Sequence, residues 1–387
     1  MKLNLIYKIK MLINIGAVHP STHGVLRILG ILNGELIQWL NIEIGLLHRG
    51  TEKLIELNYF NNSIGYFDRL DYVSVVSQEL LFIHSLEKLF NIYSILYDSL
   101  IRTLIVECYR ILNHLLAITT HIIDLGLFTS LLWLFEFREI LYNLFESLTG
   151  SRFHLTFLYL SRLRFDLTII FIESLFIIIF NLNRKLIELF NLISYNNIWL
   201  FRLYKIGIIN KNICLFYGLS GLIGRSLGLN IDARLFNYDI YNLINWISFI
   251  SYNGDCLDRY ILRFNEIIES SKIIYLLLFK ILNIKDFGYN WASGALNDYQ
   301  MEFIIYEFLF NFNLFYSLFN YCCICIESSK GIYSLFISSI PYFVINIISS
   351  DFIMINNLNK FFKNISLADL IACLGSLDFV LGSVDLK

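Results

Sequence analysis

The chain has 387 residues, a formal net charge of −2 and 57% hydrophobic side chains, with a mean hydropathy of +0.61. That length holds one large domain or two ordinary ones, and with a near-neutral charge no basic face advertises nucleic acid. Of the seven cysteines only Cys322 and Cys325 have C-x-x-C spacing, so a zinc or iron–sulfur site built from this chain alone is not expected.

In chain order, residues 1–10 lack arginine and read neither as a signal peptide nor as a transit peptide. Met11 is an alternative start. Residues 25–32 and 35–44 are apolar-rich runs around Asn33-Gly34, the strongest short hairpin signal, because a type I′ turn needs positive φ at both positions. Residues 1–45 are expected to form an N-terminal loop and β-hairpin, and residues 46–387 a larger helical domain with a small β region. Thr51 is a candidate N-cap before Glu52 and Lys53. Periodicity near 3.6 predicts helices over residues 69–90, 101–124, 131–148 and 166–193. Residues 165–182 are very apolar, but Asp166 and Glu173 favour a core helix over a membrane span. The runs 308–326 and 331–350 carry no charge and have about the 20-residue length of a membrane helix. Pro341 and the Ser, Ile, Val, Tyr and Phe content of the second run suit buried strands instead. Short apolar runs beyond Tyr316 predict a small β region, residues 366–373 a short helix and 375–384 a closing segment. The fold class is α+β.

Heavy use of Phe, Tyr, Ile, Leu and Asn with only two Pro is what T-rich coding in an organellar genome would produce, and it inflates hydropathy. The chain therefore reads as soluble within a complex, its surplus apolar surface covered by partner subunits.

All seven histidines lie in the first 154 residues, which concentrates proton chemistry there. His121 and Asp124 are three apart at a helix end and share a face. Glu107, His114 and His121 recur every seven residues, but no Glu-x-x-His supports a di-metal site. His48-Arg49-Gly50-Thr51-Glu52 sets a cation beside a helix start. Gly218, Gly221, Gly224 and Gly228 lack nucleotide-loop spacing.

Three polar clusters stand out: His19-Pro-Ser-Thr-His23-Gly24, the Gly45–Glu56 segment containing His48 and Arg49, and Tyr66-Phe-Asp-Arg-Leu-Asp71-Tyr72. With them run, in order, Arg110-Ile-Leu-Asn-His114, Thr120-His-Ile-Ile-Asp124-Leu-Gly126, Gly150-Ser-Arg-Phe-His154, Gly218-Leu-Ser-Gly221, Gly254-Asp-Cys-Leu-Asp-Arg-Tyr260, Glu327-Ser-Ser-Lys-Gly331 and Leu367-Ala-Asp-Leu-Ile-Ala372. Together they resemble the 49-kDa-type quinone-site subunit of respiratory complex I, NADH:ubiquinone oxidoreductase, a relative of the large subunit of nickel–iron hydrogenases.

That resemblance implies a hydrogenase-large-subunit-like fold and a part in ubiquinone reduction. It implies that His23 and Tyr72 flank the quinone headgroup, with Asp124 pairing His23 and with His19, Arg49 and Asp71 in support. An imidazole (pKa ~6.5) and a phenol (pKa ~10) can both donate to a carbonyl oxygen that gains charge and protons. Electrons would come from a terminal iron–sulfur cluster in a neighbouring small subunit, near Arg49. A membrane subunit would form the quinone entrance and a 30-kDa-type subunit would lie alongside, on the matrix side of the mitochondrial inner membrane. NADH would bind elsewhere in the assembly. The hydrogenase thiolate positions fall on Asp71, Ser74, Val380 and Ser383, which cannot ligate nickel and iron softly. Departures lie at Tyr159-Leu-Ser-Arg162, where the family has Arg-Pro-Gly-Gly, and at Ile231-Asp-Ala-Arg234. Two other readings are a multispanning inner-membrane transporter and a scaffold subunit with a relict site.

Overall fold

The computed structural model describes residues 10–17, 25–286, 321–338 and 343–386. Strands β1 (Lys10–Ile15), β2 (Arg27–Asn33) and β3 (Leu36–Glu43) form an antiparallel sheet in that order. β2 alternates, burying Ile28, Gly30 and Leu32, as a strand with one covered face should. The hairpin is where the sequence predicts it, but its turn is one residue later. Asn33 pairs with Leu36, so the loop is Gly34-Glu35. Gly34 supplies the positive φ (66°) that the first position of a II′-like turn requires. β1, mostly exposed and without clean alternation, is not foreseen from the sequence.

Helices α1 (Thr51–Leu57) and α2 (Phe60–Phe67) follow. Gly50, not Thr51, is the N-cap of α1. α3 spans Val75–Phe90 and starts later than its periodicity predicts. The Asp71 carboxylate accepts from the backbone N–H groups of Val73 and Ser74, both at 3.3 Å, a local turn that competes with helix. Tyr72 therefore sits in a bend and not on a helix face.

α4 (Leu96–Asp124) is the central helix. It packs against α3, α5 (Thr129–Thr149), α10 (Cys256–Asp286) and the Leu367–Leu377 helix. Several of its inward polar residues are paired. Glu107 meets Arg110 (3.3 Å), Arg234 (3.5 Å), the Tyr241 hydroxyl (2.6 Å) and Ser270 (2.7 Å). His114 meets Glu266 at 2.9 Å, and Arg225 binds Glu266 (2.8 Å), Glu327 (2.8 Å) and Asp232 (3.4 Å). The histidines of the 107–114–121 stripe are thus buried packing groups.

After the two-residue strands β4 (Leu158–Tyr159) and β5 (Arg162–Leu163) comes α6 (Ile169–Ser194). It buries one stripe, from Phe171, Leu175 and Ile179 to Leu186, and exposes Ile170, Ile177, Phe180 and Ile187. It is amphipathic in placement though apolar all round, so the core-helix reading holds for one face only. Short helices α7 (Asn197–Leu203), α8 (Lys211–Tyr217) and α9 (Gly221–Ser226) lead towards α10. No described helix is long and apolar enough to cross a membrane.

The predicted C-terminal β region is an antiparallel sheet of β6 (Tyr321–Glu327), β7 (Ile332–Ser338) and β8 (Val344–Ile348). Its edge is capped: Glu52 and Glu56 of α1 accept from the N–H groups of Ile347 (2.8 Å) and Ile345 (3.1 Å), which blocks further pairing there. The C-x-x-C pair lies on β6, where residues three apart face opposite sides. Cys322 is buried, Cys325 half-buried and Cys323 exposed, so of the three only Cys322 packs as a fully buried apolar side chain.

Candidate functional site

The bend at residues 68–74 is held from beneath by a lysine. Lys330 Nζ, fully buried, donates to Asp71 Oδ1 at 2.8 Å. Burial alone would lower its pKa, but the carboxylates of Asp71, Asp378 and Asp351 outweigh that and raise it. It stays an ammonium. Beside it Asp351 accepts from the hydroxyls of Ser383 (2.6 Å) and Tyr333 (2.9 Å) and from the N–H of Val380 (3.1 Å). Burial nevertheless pushes Asp351 up to about 6, against the pull of Lys330. Asp378 is raised too, again chiefly by burial.

These contacts gather the four positions that the resemblance sets against thiolates. Asp71 binds Lys330, Ser74 Oγ accepts from Ser329 (3.2 Å), and Val380 and Ser383 bind Asp351. A buried ammonium amid hard oxygens repels a soft cation and does not fit nickel or iron. Among the described residues no group of three or more His, Cys, Asp or Glu is arranged to hold a metal ion.

Directly above the cluster lies a cavity of about 200 Å³. Tyr72 and Val73 form one wall, Leu116 and Thr120 of α4 a second, and Leu374, Gly375 and residues 378–380 the third. Its lining is mainly apolar, with the Tyr72 phenol, Thr120 and Asp378 as polar groups. Tyr72 is 44% exposed. Partial burial raises its pKa, with Asp71 and Asp378 adding to it and Lys330 opposing, so the phenol keeps its proton at neutral pH.

Asp124 closes the far end of α4, one turn beyond Thr120. Its carboxylate lies against Gly375, where a Cβ would collide with it. Gly375 lines the cavity, so Asp124 stands immediately behind that wall.

Arg49 Nη2 donates to the carbonyl of Arg69 at 2.9 Å, and both side chains are exposed. Preceding it, Gly45 and Leu47 donate to the Asp385 carboxylate at 2.8 and 2.7 Å, and His48 Nδ1 lies 3.2 Å from the Asp385 carbonyl. The Arg49 segment is thereby clamped between the tail and the loop that carries Tyr72. His154 nearby has a lowered pKa, from burial first and then Arg69 and Arg49. This corner is electropositive.

Residues 124–386 match the family described as respiratory-chain NADH dehydrogenase, 49 Kd subunit. The NADH-ubiquinone oxidoreductase 49 kDa subunit of Acanthamoeba castellanii is 36% identical over 381 residues, covering 96% of this chain and 95% of that one. The subunit of the same name from Paramecium tetraurelia is 36% identical over 401 residues, with 96% and 98% covered. That from Reclinomonas americana is 34% identical, with 96% of each covered. The chain belongs to this 49 kDa subunit family.

Of the residues singled out in the sequence, the structure brings Tyr72, Asp71 and Asp124 to one cavity and its supports, and sets Arg49 on the loop leading to Tyr72. His19 and His23 lie outside the described residues. Sequence reasoning missed Lys330, Asp351 and Asp378 as parts of the site. One signal was present: Glu327 and Lys330 are the only charged residues between Phe308 and Ser350, and charges in so apolar a stretch are expected to be paired when buried.

Proposed function

We propose that this 49 kDa family member forms one wall of the ubiquinone-reduction chamber of NADH:ubiquinone oxidoreductase, with Tyr72 and His23 donating protons to the quinone oxygens. The observation that carries the reading is the half-exposed, protonated Tyr72 phenol opening onto an apolar cavity of about 200 Å³. That volume is below the roughly 300–1,000 Å³ of pockets for drug-sized ligands. It suits a single ring and not an isoprenoid tail as well.

In this reading a two-electron reduction puts charge on the carbonyl oxygens, and Tyr72 O–H stabilises one of them as it develops. His23 serves the other oxygen, and Asp124 favours its imidazolium through its negative charge. His19 and Asp71 support the two donors, Asp71 by fixing the bend through Lys330. The chain contributes proton donors only. Electrons come from an iron–sulfur cluster of a neighbouring small subunit, and we assign the electropositive Arg49–Arg69 corner to the side of that subunit. A membrane subunit supplies the entrance and a 30-kDa-type subunit packs alongside, on the matrix face of the mitochondrial inner membrane. The exposed apolar stripe of α6 supports burial by partners of this kind.

The test is turnover in the assembled enzyme. Tyr72→Phe and His23→Ala should each lower quinone reduction about 10²-fold, within the usual range for losing a general acid. NADH oxidation by a soluble artificial acceptor should be unchanged. Quinone turnover at the parent rate in both variants would favour a relict site in a scaffold subunit.

A further inference from the structure

The first residue of α10 and the middle of the Leu367–Leu377 helix bring two thiols together. Cys256 Sγ and Cys373 Sγ are 3.8 Å apart and both are fully buried. A disulfide requires about 2.05 Å, so the sulfurs must close by about 1.8 Å to bond. The two cysteines are not equivalent. Cys256 sits at the N-terminus of a 31-residue helix, receives Arg259 Nη2 at 3.1 Å and lies 3.6 Å from Ser376 Oγ. The same guanidinium is fixed by the carbonyls of Gly254 (2.9 Å) and Gly207 (3.1 Å) and by Ser376 Oγ (3.0 Å). Its charge is therefore held on the sulfur. The hydrogen bond shared with Cys373 and the Arg259 charge bring Cys256 down to about 6, while Cys373 is pushed up. One thiolate beside one thiol is the arrangement of an attacking and a resolving cysteine. The loop 204–210 covers the pair, and a side chain at Gly207 would collide with Cys373 Sγ.

We propose that Cys256 and Cys373 form a peroxide-responsive thiol–disulfide site that adjusts the wall of the cavity. The Cys256 thiolate attacks hydrogen peroxide: an S–O bond forms, the O–O bond breaks, and the departing hydroxide takes a proton to become water. Cys373 then attacks that sulfur: the S–S bond forms, the S–O bond breaks, and a second water leaves. Two thiols lose two electrons and two protons, and the peroxide takes up both. Cys373 directly precedes Leu374 and Gly375, which line the cavity, and Gly375 packs on Asp124 without slack. Drawing the sulfurs together moves that turn, so the disulfide form should bind quinone more weakly. The quinone effect rests on the functional reading above; formation of the bond does not.

The test uses the purified, assembled enzyme treated with hydrogen peroxide, then alkylated, digested without reduction and analysed by mass spectrometry. The expected result is a Cys256–Cys373 linked peptide that dithiothreitol removes, with a reversible rise of at least twofold in quinone KM. Cys373→Ala should abolish both the link and the KM shift. Exposed Cys323 is the internal control. If Cys323 is oxidised while Cys256 and Cys373 are recovered as free thiols, the site is overturned. A linked peptide with an unchanged KM would overturn the coupling to the cavity. Parent turnover in both Tyr72→Phe and His23→Ala would sink the quinone reading while leaving the linked peptide as it is.

Discussion

Two of the buried charge clusters among the described residues balance their charge differently. Around α4 and α10, Arg110, Arg225 and Arg234 face Glu107, Asp232, Glu266 and Glu327, with Tyr241 and Ser270 hydroxyls filling remaining lone pairs. Beside the cavity Lys330 faces Asp71, Asp351 and Asp378, and Arg263 adds a second cation acting on Asp378. In the first cluster the guanidiniums overcome burial and hold Asp232 down at about 2 and Glu266 well below the usual range, with Glu327 alone pushed up, by burial. In the second, Asp351 rises to about 6 and Asp378 rises as well. The first network, with three guanidiniums for four carboxylates, holds most of its carboxylates ionised and fixes the fold. The second has fewer cations for its carboxylates, leaves Asp351 and Asp378 raised, and adjoins the cavity.

The largest effect is expected from breaking the first cluster. Arg225→Met takes the guanidinium from Glu266, Asp232 and Glu327, leaving Asp232 with Arg234 and Glu266 with His114, and should cost about 3–5 kcal/mol, read as lost thermal stability or failed assembly. A loss below about 0.5 kcal/mol would show that the network is not needed for the fold. Next comes a buried pair that does respond to pH. His84 lies 2.9 Å from Asp239 and 3.3 Å from Glu87. Burial would lower its pKa, but the two carboxylates raise it to about 9. The folded value is above the unfolded ~6.5, so this stabilisation, on the order of 3 kcal/mol, is complete below about pH 6.5 and lost as pH rises through 9. Melting curves from pH 6 to 10 should show the loss, and His84→Gln should flatten it.

Lys330→Met should cost less, about 2 kcal/mol at pH 8, because a stranded carboxylate there can take up a proton. The loss should shrink at pH 5.5, where Asp351 is protonated. An equal loss at both pH values would make the two clusters one kind. The smallest effect is expected from Gly375→Ala, which drives a methyl into the Asp124 carboxylate. About 1 kcal/mol of overpacking should appear as a roughly fivefold higher quinone KM.

Much of the fold was legible, and the failures have physical causes. α4, α5 and α6 start within about five residues of their predicted bounds and end within one, because their apolar period is long and unbroken. The hairpin was legible through Asn33-Gly34, but which two residues turn was decided by the pairing of β2 with β3. α10 was not foreseen. Arg259, Arg263, Glu266 and Glu269 face inward along it, so its polar residues lie where periodicity expects apolar ones. Tyr72, Asp71 and Asp124 were legible through family resemblance; local sequence alone made Tyr72 an ordinary helix aromatic. The carboxylates that converge on Lys330 come from segments far apart in the chain, and only the tertiary structure places them together.

The most direct measurement is photolabelling of the assembled enzyme with a ubiquinone analogue bearing a photoreactive group on its ring, followed by peptide mapping. The expected result is label on Tyr72, on Thr120 or on residues 378–380, competed away by unlabelled ubiquinone. Competable label confined to other subunits, with none on these three walls, would contradict a quinone site here.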